Sequence, residues 1–97
     1  MIKHIVLFKL KEEHKALIPE LISSLYTLKG NIDGLLDLEA GADIVGSSRS
    51  FDFGLIATFT DRAALDAYQV HPLHVPISQR IGEVREMVAA CDYITQE

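Results

Sequence analysis

Residues Ile2 to Leu10 carry apolar side chains on both faces of an alternating pattern, and this stretch constrains the fold more than any other. One face is Ile2, His4, Val6 and Phe8; the other is Lys3, Ile5, Leu7 and Lys9. A strand that is apolar at mid-length on both sides has to be covered on both sides. Helices of the same chain can cover one side. A chain this short buries only about 60–65% of the surface its unfolded form exposes, yet 48% of its 97 residues are hydrophobic. A second copy of the chain is the simplest cover for the other side.

The remaining periodicities follow in a definite order. Leu17, Leu21, Leu25 and Leu28, flanked by Ile18 and Ile22, fall at helical spacing, and Pro19 places the regular start near Ile18. Lys29-Gly30-Asn31 is a stop signal. Leu35 to Ala40 reads as a strand with Leu36, Leu38 and Ala40 on one face, and Gly41 to Ser50 as a small-residue loop. Phe51 to Phe59 is a third strand. Thr60 reads as the N-cap of a helix from Asp61 to about Val70, with Tyr68 on its inward stripe. Pro72 and Pro76 bracket a break, His71 to Pro76, before a further helix marked by Ile77, Ile81 and Val84, with Arg85 at its end. Met87 to Ile94 is the last strand. The order β-α-β-β-α-β, with its second helical region split, predicts a single α+β domain over residues 1–97: a ferredoxin-like antiparallel four-stranded sheet with helices on one face. The open face would carry Ile5, Leu7, Ile56, Met87, Ala89, Cys91 and Tyr93. Such a patch predicts a homodimer through stacked sheets, a dimeric α+β barrel.

Composition removes several function classes. A net charge of −5 is poor for binding phosphate backbones, so no nucleic-acid partner is expected. Cys91 alone excludes an intramolecular disulfide and a cysteine-based zinc cage. No uncharged apolar run approaches the ~18 residues of a membrane span, and Met1 to Ile5 lacks the pattern of a signal peptide. No membrane partner and a cytoplasmic location are the expectations. Glycine-rich phosphate loops are missing, so no nucleotide cofactor is implied.

Polar residues that interrupt apolar faces mark the candidate site. His4 shares a face with Val6 and Phe8, Asp92 shares one with Val88 and Ala90, and Tyr68 sits on an inward helical stripe. In the catalytic reading, a buried Asp92 holds one nitrogen of His74, whose other nitrogen is a general base, while Tyr68 donates to a developing oxyanion. His4, His71, Phe8, Leu55, Ala57, Leu65 and Arg85 are the expected substrate-binding neighbours. In the structural reading, the same groups form a polar network that locks the kink. His71 and His74 are spaced for a metal, but Pro72 spoils the turn between them, and no metal is assigned. Cys91, on the opposite face from Asp92, reads as buried packing.

The opening Ile2-Lys3-His4-Ile5-Val6-Leu7-Phe8-Lys9-Leu10-Lys11 resembles the stress-responsive dimeric α/β-barrel (Dabb) domains. So do Phe59-Thr60, Leu65-Asp66-Ala67-Tyr68-Gln69-Val70-His71-Pro72-Leu73-His74-Val75 and Cys91-Asp92-Tyr93. The resemblance spans essentially the whole chain and implies a ferredoxin-like homodimer. In this motif it is similar to the family's plant polyketide cyclases, such as olivetolic acid cyclase, which run an intramolecular aldol condensation without a cofactor. That similarity implies Tyr68 and His74 acting on substrate, Asp92 supporting His74, and His4 and His71 as pocket neighbours. For some members it also implies magnesium on backbone carbonyls, here around Lys29, Ile32 and Leu35. Gln69 and Arg85 depart from the large apolar groups of the plant cyclases. Turned inward, Arg85 would favour a smaller or anionic ligand; turned outward, it is a solvated helix residue. Because other members are known for stability and assembly, two functions stand side by side. One is a small-molecule-binding barrel, with cofactor-independent cyclase or isomerase chemistry on a small carbonyl compound. The other is a non-catalytic stress-response or assembly domain.

Overall fold

The computed structural model describes Met1–Gln96. Its elements are β1 (Ile2–Leu10), a 3₁₀ segment (Glu12–Leu17), α1 (Ile18–Tyr26), β2 (Leu35–Ala42), β3 (Phe53–Phe59), α2 (Arg62–Gln69), α3 (His74–Val84) and β4 (Arg85–Ile94). The sheet order is β2-β3-β1-β4, and every neighbouring pair is antiparallel. Long crossovers through α1 and through α2–α3 each skip one strand, which is the ferredoxin-like arrangement.

The core lies between the helices and one sheet face. Val6, Phe8 and Leu10 of β1 and Phe53, Leu55, Ala57 and Phe59 of β3 meet Leu21 and Leu25 of α1, Leu65 and Tyr68 of α2, and Ile81 and Val84 of α3. Phe8 and Phe53 stack with ring centroids 4.7 Å apart. Asp52 closes the end of this layer. Its N–H donates to the Phe8 carbonyl at 2.8 Å, and its carboxylate accepts from the Leu10 N–H at 2.7 Å. The third strand therefore begins at Phe53 rather than Phe51.

Local physics moved several boundaries. Asp61, not Thr60, caps α2, its carboxylate accepting from the Ala64 N–H at 2.8 Å. In β2 the ladder steps from Leu35↔Phe59 to Asp37↔Thr58, so Leu36 is an extra, bulged residue. It is 53% exposed, while Leu35 and Leu38 face the core. Strict alternation could not anticipate that slip. Helix α3 begins at His74, earlier than its apolar residues suggested, because Pro76 fits a first helical turn where N–H groups lack intrahelical partners. Arg85 is extended, at φ −78° and ψ 145°, and opens β4 opposite Leu10 instead of ending a helix.

Edge strand β4 is exposed along its whole length. On the open face Leu7, Met87 and Tyr93 are exposed in the single chain, as is Cys91, which is therefore not buried packing there. Among the described residues no helix is long and apolar enough to cross a membrane.

Candidate functional site

Three rings meet where α2 and α3 lie over the middle of the sheet. Tyr68 ends the inward stripe of α2 and is fully buried. The chain then turns tightly: the His71 N–H donates to the Tyr68 carbonyl at 3.1 Å, and the His71 carbonyl accepts from His74 and Val75. This brings the His74 ring against Tyr68, with centroids 4.1 Å apart and planes at 33°. From the sheet side His4 meets Tyr68 edge-on at 5.9 Å.

A hollow of about 300 Å³ opens beside these rings, bounded by His4, Tyr68, His74, Phe8, Leu55 and Arg85 among others. Two polar atoms in its walls lack a hydrogen-bond partner among the described residues: the Tyr68 hydroxyl and His74 Nδ1. Burial alone pushes the Tyr68 phenol up to about 12. The His74 pKa is lowered, chiefly because burial disfavours the imidazolium. The nearby Gln69 carbonyl opposes that shift, and the rings of His4 and His71 add to it.

Asp92 does not hold His74. Its carboxylate bonds Nδ1 of His4, its partner across the β1–β4 ladder. Nor is it buried: its side chain is 40% exposed, because β4 lies at the sheet edge. The dyad therefore fixes the histidine of β1, leaving His4 Nε2 as that ring's remaining nitrogen.

Other expected neighbours scatter. His71 does not line the hollow, and its Nδ1 accepts from the Leu73 N–H at 3.0 Å. Ala57 lies in the core beside His4, its register partner on β3, and off the hollow's wall. Leu65 lines an adjoining hollow, which shares Gln69 and Asp92 with the first. Arg85 faces the first hollow, and so do Gln69 and Ser78. Ser78 was missed, although His74, Ile77, Ser78 and Ile81 recur on one helical stripe; serine in that stripe was the available signal.

Among the described residues no group of three or more His, Cys, Asp or Glu could hold a metal ion. In the turn associated with magnesium, the Ile32 carbonyl accepts the Leu35 N–H at 3.2 Å, and Lys29 Nζ lies 3.1 Å from Asp37. Backbone carbonyls are ordinary ligands of hard divalent ions, and a carbonyl oxygen that accepts one N–H keeps a second lone pair.

A profile of the Stress responsive A/B Barrel Domain matches residues 2–95. The chain belongs to this family. Two stress-response A/B barrel domain-containing proteins of Arabidopsis thaliana are similar to it. One is 28% identical over 102 aligned positions, covering 100% of this chain and 48% of the relative. The other is 29% identical over 94, covering 94% and 83%. The chain thus spans about half the length of the first. Among solved structures, a dimeric ferredoxin-like protein of unknown function from Bacteroides fragilis superposes at a TM-score of 0.84 with 27% identity, over 95% of this chain and 93% of that one. A dimeric ferredoxin-like protein from Jannaschia gives 0.80 at 29% identity, over 97% and 98%. A hydroxynitrile lyase from Passiflora edulis gives 0.85 at 18% identity, over 99% and 94%, which shows a shared fold alone.

Proposed function

We propose that residues 1–97 act as one domain of a homodimer in which each subunit binds a small carbonyl compound and moves a proton on it without a cofactor, as a cyclase or isomerase would. The observation that carries this reading is the pair of unpartnered buried atoms, Tyr68 Oη and His74 Nδ1, in the wall of a hollow. Leaving a buried polar group unsatisfied costs about 1–3 kcal/mol. A ligand presenting an acceptor and an acidic C–H would relieve both. Neither atom touches solvent, so the ligand displaces a neighbouring side chain on entry.

His74 is the base. Burial keeps its imidazole neutral near pH 7, so Nδ1 has a lone pair available for a proton α to the carbonyl. The C–H electron pair moves onto the carbonyl oxygen, and the Tyr68 hydroxyl donates a hydrogen bond to that oxygen. With a pKa near 12, Tyr68 stays protonated and acts as donor only. The enolate carbon then attacks a second carbonyl of the same molecule, whose oxygen takes the electron pair and the proton held by the His74 imidazolium; in an isomerisation the dienolate of a β,γ-unsaturated ketone takes that proton at its γ carbon instead. Asp92 acts through His4, fixing the ring beside Tyr68, and is a positioning residue.

The second subunit stacks on the open sheet face, where Ile5, Leu7, Ile56, Met87, Ala89, Cys91 and Tyr93 form an apolar surface on a chain whose solved relatives are described as dimeric. Leu7→Asp should shift the sedimenting species from dimer to monomer.

The assembly reading draws on a different observation: the His4–Asp92 pair is satisfied within the chain and ties β1 to the edge strand. Exchange of α-protons in D₂O, followed by NMR on small ketones and 1,3-diketones, separates the two. Catalysed exchange that His74→Ala abolishes while the fold survives supports the enzyme. No exchange above buffer, together with a large loss of stability in His74→Ala, supports the structural role.

A further inference from the structure

Arg85 sits at the far end of the hollow from the Tyr68–His74 pair. It follows α3 directly, so from His74 to Arg85 the helix advances roughly 16 Å. Side chains reaching toward each other from those positions leave space for several bonded atoms between guanidinium and imidazole. The walls between are mostly apolar, with Ile77 and Ile81 of α3, Val88 and Ala90 of β4, and Phe8 and Leu55 of the sheet, and Ser78 the one hydroxyl among them.

The guanidinium is unspent. Arg80 pairs with Glu20 and Arg62 with Asp66, but Arg85 makes no ion pair or side-chain hydrogen bond among the described residues. A cation at the C-terminus of α3 also suits the helix dipole. That effect, however, is indifferent to whether the group borders a cavity. The chain carries a net charge of −5, so its overall field repels anions, and one unpaired cation on the hollow's wall is a local exception. Nor does Asp92 neutralise it: that carboxylate belongs to the opposite end, bound to His4.

From these placements we infer that the ligand is a medium-chain oxo-acid, whose carboxylate meets Arg85, whose apolar middle lies along Ile77, Ile81, Val88 and Ala90, and whose carbonyl reaches Tyr68 and His74. Guanidinium matches carboxylate bidentately, which sets orientation as well as affinity. The hollow then reads one end of the ligand by charge and works on the other. The catalytic half of this description rests on the proposed function; the carboxylate half does not.

Two probes test it: 7-oxooctanoate and its methyl ester, which differ only in the charged end. Titrations of the full chain labelled with ¹⁵N should show the acid binding at least tenfold more tightly than the ester, with the Arg85 Nε–H resonance shifting. Arg85→Gln should erase that preference by weakening the acid alone. Equal affinities, an acid preference that survives Arg85→Gln, or no shift at Arg85 at saturating acid would each overturn the inference. Deuterium uptake beside the ketone is read in the same samples. If the acid binds at Arg85 but no uptake exceeds buffer, carboxylate recognition stands and the proton-transfer reading falls. Uptake from acid and ester at equal efficiency leaves the reverse.

Discussion

The carboxylate of Asp92 meets Nδ1 of His4 directly across the β1–β4 ladder, where the two residues are register partners. This relationship reassigns the site. The acidic residue of the edge strand steadies a histidine of the central strand, while His74, on the helical side of Tyr68, is left with an unpartnered nitrogen. Two histidines thus flank one tyrosine under different constraints.

Asp92 and His4 should couple energetically, but modestly, because the carboxylate is partly in water. A double-mutant cycle with His4→Gln and Asp92→Asn, read by urea unfolding, should give an interaction energy of about 1 kcal/mol. A coupling indistinguishable from zero would show that the pair does not orient the ring in solution.

Tyr68→Phe removes a hydroxyl that has no partner in the chain. Stability near pH 7 should hold or rise by up to about 1 kcal/mol, while α-proton exchange falls at least tenfold. Above pH 10 the variants should diverge further. Unfolded tyrosine ionises near 10, whereas the folded phenol keeps its proton to about 12. The wild type therefore loses roughly 2–3 kcal/mol as pH rises through that window, and the phenylalanine variant escapes that loss. A clear destabilisation of Tyr68→Phe at pH 7 would mean that the hydroxyl is satisfied after all.

His74 gives the opposite dependence. Its folded pKa lies below the ordinary value of 6.5, so its contribution to stability is complete above that pH. As pH falls below 6.5 the unfolded state takes up a proton that the folded state resists, and stability drops. Urea midpoints of wild type and His74→Gln compared between pH 7.5 and 5 should show a steeper decline in the wild type. Parallel declines would remove the buried, neutral imidazole from the scheme.

Gly34 should tolerate no side chain. Its φ is +81°, and a Cβ there would lie 2.5 Å from the Ala64 Cβ of α2. Gly30 has the same φ but open space around it. Gly30→Ala should cost about 1–2 kcal/mol from conformation alone, and Gly34→Ala clearly more, since α2 must move away from the turn. Thermal unfolding of the two variants makes the comparison, and equal costs would show that α2 yields easily.

What the sequence determined was everything carried by periodicity and by residues with one dominant local effect. Alternation in Ile2–Leu10, helical spacing of Leu21, Leu25 and Leu28, and Pro19 and Pro72 at helix boundaries fixed the element order and hence the ferredoxin-like sheet. Those signals sufficed because burying one face of each element leaves few arrangements. Tertiary structure decided the pairings. The Leu36 bulge, the capping of α2 by Asp61 rather than Thr60, and the choice of His4 over His74 as partner of Asp92 depend on which strand lies beside which, and in what register. A polar residue announces from its own neighbourhood that it needs a partner. Only the packed chain, by bringing residues 88 positions apart within a hydrogen bond, decides which one it finds.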